Sequence, residues 1–262
     1  LAVGVAAAFA GESGLALGII AGGAMAGLSL HGGVAALAGA ARVEKAPAWM
    51  AALVVPAVLL GGGLGVNGVV SRRDGLILLA AFVLTVLLRM PVFRRGCAPE
   101  LPGSFSIVRR DSVGDRLRWA MLGAGLVGLA GGAWLVVAGS LTLMPRAGVS
   151  GMVLGMAVLP PLLGLDRLAR LARGASAAQQ GDAWTEVLAA PPAAFLFNAG
   201  IIALVSPVLV GTDELMFYLP LCLCAALGLS LFAFSGGVPR WGAALLLLLY
   251  GVFFGGGFAG WL

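Results

Sequence analysis

The sequence predicts an all-α, polytopic helical membrane protein with about eight to ten transmembrane helices in two related halves. Composition is the first reason. The 262 residues are 61% hydrophobic and 10% charged, with a mean hydropathy of +1.06. A water-soluble domain of this length has no polar surface to cover so much apolar side chain. The second reason is the pattern: the apolar runs are continuous and each close to the length of a membrane span, whereas a transmembrane barrel would alternate. The third is a pair of segments, VSGMVLGMAVLPPLLGLDRLARLARGA and WTEVLAAPPAAFLFNAGII, each interrupted by Pro or Gly near its middle. An interrupted membrane helix frees backbone groups that can hold an ion, and a matched pair is a transporter signature. LALGIIAGGAMAGLSLHGGVAALAGA followed by APAWMAALVVPAVLLGGGLGVNG reads as a weaker upstream copy.

Taken in order, residues 1–11 read as the end of a helix or a short helix, and Glu12-Ser13-Gly14 as a turn. The opening on Leu1 predicts removal of an upstream segment. Apolar segments follow at 15–41, 48–70, 76–90, 119–144, 150–170, 186–210, 215–235 and 241–261. Residues 91–117 are polar, rich in Pro and Gly, and too charged to cross a bilayer. They divide a first half, 1–90, from a second, 118–262. Thirteen of the sixteen Lys and Arg residues fall on the side of this divider, among them Arg42, Lys45, Arg94, Arg95, Arg109, Arg110 and Arg240. The positive-inside rule then predicts a cytoplasmic 91–117 loop, and a small chain with no long soluble domain fits a bacterial inner membrane.

The 42 glycines fit close helix packing, with Gly-x-x-x-Gly spacings at Gly18/Gly22, Gly61/Gly65 and Gly151/Gly155 among others. The net charge of +5 is accounted for by basic loops and calls for no nucleic acid. Cys97, Cys222 and Cys224 are an odd number with no metal-ligand spacing, so no disulfide framework, metal or cofactor is expected. Nor is there a phosphate-binding Gly loop with Lys, or a convergent Ser/His/Asp set, so no enzyme is expected.

The second half resembles the membrane repeat of the calcium/cation antiporters, the sodium/calcium exchanger family. The likeness lies in the opening helix LRWAMLGAGLVGLAGGAWLVVAGS, in Val149-Ser150 leading into Leu154-Gly155, in Phe197-Asn198 running on to Ser206-Pro207, and in the closing PRWGAALLLLLYGVFF. In the first half, LALGII and VVSRRDGLILLAAFVLTVLL resemble the family's second and fourth helices. The resemblance implies an exchanger fold with five crossings in each half, related by inversion. It also implies an ion site built from Gly-Thr-Ser-Leu-Pro-Glu in each half and Gly-Asn-x-x-Gly-Ser-Asn on the next helix. This chain departs from both motifs. Ser29-Leu30 and Asp166-Arg167 stand where Pro-Glu is expected, and apolar residues near Ala189–Ala190 and Ala193–Phe195 replace the polar ones. By count of segments one crossing is absent after Leu88, which would set the halves pointing the same way.

Five residues remain as transport or ion-path candidates: Asp166, Arg167, His31, Asn198 and Asn67. Asp166 with Arg167 reads as a proton or cation carrier with a tethered counter-charge, or as the end of a basic, lipid-facing stripe of Arg167, Arg170 and Arg173. His31 reads as a proton relay or as a residue bonded to a neighbouring helix. Asn67 and Asn198 read as ligands or as polar contacts between helices. The expected partners are the lipid bilayer, other membrane-protein subunits, and a cation or small solute. The leading expectation is an accessory or structural subunit without a working divalent-cation site; the alternative is an active secondary transporter.

Overall fold

The computed structural model describes residues 1–38, 48–93, 115–172 and 177–258. Short helix α1 (Ala2–Phe9) turns at Gly11, whose φ of 79° is in the left-handed region, into α2 (Ser13–Leu37). Next come α3 (Ala48–Leu64), strand β1 (Val69–Val70), α4 (Arg72–Phe93) and the long α5 (Asp115–Ala147). The second half has α6 (Gly151–Leu163), α7 (Leu165–Ala172), and α8, which begins as Ala177–Pro192 and ends as Ala199–Val205. Strand β2 (Val208–Leu209), α9 (Thr212–Phe234) and α10 (Arg240–Phe258) complete it. Among the described residues six helices are long and apolar enough to cross a membrane, or seven if α6 and α7 form one bent span. Helices α1 and α4 lie outside that set, which separates it from the eight to ten crossings expected.

Two expectations are corrected. Where breaks were predicted, the helices continue through π turns at Ala26–His31, Leu154–Val158 and Ala193–Asn198. A π turn widens the ring by one residue while the helix runs on, so these segments are perturbed rather than broken. Proline explains two of the three sites: Pro191 and Pro192 precede one π turn and Pro160 and Pro161 follow another, and a ring without N–H cannot sit in an unperturbed ladder. The sharp break is at Gly164, where α6 and α7 meet at 49°.

The second correction concerns which segments correspond. Helix α3 lies antiparallel to α9, with Gly62 against Leu219, Gly65 against Leu215, and the Ser230 hydroxyl donating to the Ala51 carbonyl at 3.0 Å. The end of α8 packs on α4, where Gly75 meets Gly200 and Ala203. The end of α2 packs on α10, where Gly32 and Gly33 meet Leu246 and Leu247. Contacts are thus exchanged between α2-α3-α4 and α8-α9-α10, the pattern of an inverted repeat. The counterpart of 13–37 is 177–205, not 150–170. Helices α2 and α6 instead run parallel, because three helices separate them in the chain.

Candidate functional site

The centre of the bundle is the crossing of α2 with α6. Methyl groups placed on Gly18 or Gly22 would overlap the carbonyl oxygens of Met152 and Met156, and one on Gly155 would lie 2.6 Å from the Leu15 carbonyl oxygen. Here the sequence spaces its glycines four apart, one per turn on one face, and the backbones touch. Beside the crossing lies a cavity of about 70 Å³, room for a few water-sized molecules. Its lining is apolar, including Leu17, Ile20, Met152, Phe195 and Ala199; the polar atoms nearby belong to Tyr218 and Cys222.

Two positions where the exchanger resemblance expects polar residues, Ala190 and Phe195, carry apolar side chains packed on glycine. Phe195 rests on Gly61 and closes the cavity wall, and Ala190 rests on Gly27. Ser29 is fully buried, but its hydroxyl donates to the Met25 sulfur at 3.8 Å. Among the described residues no group of three or more His, Cys, Asp or Glu side chains is placed to hold a metal ion.

Polar candidates gather elsewhere, where α7 meets α8 and the π turn of α2. Asp166 is 69% exposed and accepts from the Arg170 guanidinium at 2.7 Å, one turn along α7. The Arg167 backbone N–H also donates to this carboxyl. Arg167 pairs with Glu186 of α8, which also receives Arg170 at 3.6 Å. Arg167 and Arg170 therefore both point toward Glu186; Arg173 lies outside the described residues. His31 is 4% exposed, its Nε2 is 3.1 Å from where a side chain on Gly164 would begin, and it lies within electrostatic reach of Arg167 and Asp166. Neither ring nitrogen has a hydrogen-bond partner among the described residues.

The fold thus brings Asp166, Arg167 and His31 together and leaves the two asparagines apart. Asn198 is half-buried at the end of the third π turn, and Asn67 is exposed in the short 3₁₀ turn after α3. Sequence reasoning passed over Glu186 as a site residue. No local signal marks it, because its partners are 16 and 19 positions away across the α7–α8 connection.

No family model matches the chain, and no curated protein matches it. Solved structures do. Native YfkE superimposes with a TM-score of 0.68 at 14% identity, over 98% of this chain and 79% of that one. The sodium-calcium exchanger NCX_Mj, soaked with 10 mM Na⁺ and 10 mM Sr²⁺, gives 0.60 at 19% identity over 96% and 82%. With 100 mM Na⁺ and 10 mM Sr²⁺ it gives 0.59 at 17% identity over the same shares. At these identities the likeness is one of fold: this is an integral membrane chain with the helical architecture that NCX_Mj and YfkE share.

Proposed function

We propose that the chain uses the exchanger fold as a packed scaffold, acting as a structural or accessory subunit of a membrane complex without a working divalent-cation site. The observation that carries this reading is the apolar crossing of α2 and α6, with its Phe195-lined cavity. A hard divalent cation needs six or more oxygen ligands, with carboxylates to offset its charge. Placed among Leu17, Ile20, Met152 and Phe195, it would lose its hydration shell against groups that return nothing. The face such a subunit would offer is α5, whose Leu126, Val127, Trp134 and Leu135 are exposed on the single chain. Membrane helices associate through packing of such faces as well as through polar contacts. The bias of Lys and Arg toward residues 91–117 supports a cytoplasmic divider, and we place the chain in a bacterial inner membrane.

The test is reconstitution of the purified chain in liposomes, with flux followed under calcium, sodium, potassium and proton gradients, beside crosslinking in native membranes. The expected result is no gradient-driven flux and a specific crosslinked partner on α5. Flux that collapses in Asp166→Asn would overturn the scaffold reading. It would establish the second one, a cation- or proton-coupled secondary transporter, which the clustering of Asp166, Arg167 and His31 favours.

A further inference from the structure

The ion pairs at the α7–α8 junction sit over a buried imidazole, and that juxtaposition goes beyond a scaffold role. Asp166, Arg167, Arg170 and Glu186 carry two charges of each sign and sum to zero while His31 is neutral. An imidazole buried in an apolar helix, with no hydrogen-bond partner among the described residues, is a costly arrangement, and native structures keep such groups where they are used. Among the described residues, the titratable and charged groups on the elements packed against its π turn include Asp166, Arg167 and Arg170 of α7, Glu186 of α8, Tyr250 and Arg240 of α10, and Cys222 and Cys224 of α9; the remainder of α2 adds the Ser29 hydroxyl.

We propose that His31 is a proton-binding site whose occupancy sets the position of helix α7. A proton taken from water onto a ring nitrogen gives an imidazolium with two N–H donors and raises the local charge from zero to +1. Two charges on α7 then act in opposite senses: Arg167 is repelled and Asp166 attracted. They are consecutive residues, so a roll of α7 about the Gly164 break exchanges one for the other over His31. Asp166 leaves Arg170 and accepts from His31. Arg170, already 3.6 Å from Glu186, keeps that partner, and Arg167 moves out to water. Gly164 permits the imidazole to lie this close, since a side chain there would meet His31 Nε2 and the Pro160 carbonyl oxygen, both at 3.1 Å. This device operates whether or not the chain moves a solute.

The test uses the full chain in lipid nanodiscs, with Cys97, Cys222 and Cys224 replaced by Ala and spin labels at Leu37→Cys and Ala172→Cys, both exposed positions. Pulsed electron-electron distances are recorded from pH 8 down to pH 3. The expected result is a second distance population that grows as pH falls and vanishes in His31→Gln. Asp166→Asn, an exposed change that leaves packing intact, should move the midpoint about one pH unit lower, the effect of losing one nearby opposite charge. A single pH-independent distribution, or the same transition in folded His31→Gln, overturns the proposal. An unchanged midpoint in Asp166→Asn overturns it as well, and keeps the test decisive if His31→Gln does not fold.

Discussion

The carbonyl oxygen of Leu15 stands 2.6 Å from the point where a methyl group on Gly155 would be, so α2 and α6 meet backbone to backbone. Neither side of that contact is a flexible side-chain end, and relief of the overlap requires a helix to move. Gly155→Ala is expected to lower stability by about 1–3 kcal/mol, the range for overpacking a filled interior. Gly23→Ala, where nothing lies within 4 Å of the added methyl, should instead be neutral or stabilise by about 0.5–1 kcal/mol. Thermal unfolding in detergent would separate the two.

The apolar crossing also predicts indifference to cations. A site filled a hundredfold above its Kd adds about 2.7 kcal/mol to stability and raises Tm accordingly. Under the scaffold reading, millimolar calcium, strontium or sodium leaves the melting curve of the purified chain unmoved beyond the ionic-strength control. A shift given by one ion and not by a matched salt would point to a bound cation.

The Arg167–Glu186 pair joins α7 to α8 with both side chains 35% exposed. Solvent screens such a pair, so a double-mutant cycle with Arg167→Ala and Glu186→Ala should give a coupling of about 0.2–1 kcal/mol. That coupling should shrink as salt rises from about 10 mM to about 1 M, as the screening length falls from about 30 Å to 3 Å. A coupling that is large and independent of salt would mean that the junction is drier than its exposure indicates.

Ser230 should matter more than its size suggests. Its hydroxyl donates to the Ala51 carbonyl at 3.0 Å in a buried contact between α9 and α3, the central antiparallel pair of the two halves. Ser230→Ala is expected to cost about 0.6 kcal/mol, typical for a hydrogen bond between membrane helices. Ser230→Val also places bulk against α3 and should cost more, read out as a lower midpoint in unfolding by denaturing detergent.

What could be read from the residues, and what could not, divides along the range of the interactions. Helix positions were legible, since a long apolar run has one solution in lipid. The exchanger-like fold was legible from apolar stretches such as Leu154-Gly155 and Phe197-Asn198 together with their order. The π turns were not, because a proline says that a ladder is disturbed but not whether it breaks or widens by one residue. Segment 13–37 was paired with the wrong partner for a related reason. It shares its apolar, Gly-interrupted composition with both 150–170 and 177–205, and only contacts such as Gly75 with Gly200 decide between them. At the polar cluster, Asp166, Arg167 and His31 are visible as rare residues in apolar surroundings, whereas nothing in the sequence near Glu186 points to its partners on α7.

The two short strands have a mechanical consequence. Val69–Val70 pairs antiparallel with Val208–Leu209, and the Val210 N–H donates to the Gly68 carbonyl at 2.9 Å, beside a Gly68 turned into the left-handed region at φ 80°. This strap stitches the α3–α4 connection to the α8–α9 connection by main-chain bonds, which side-chain substitution does not remove. The halves are therefore pinned at one mouth of the bundle. Any rocking of one half against the other has its fulcrum there and its travel at the far mouth, where α7 ends.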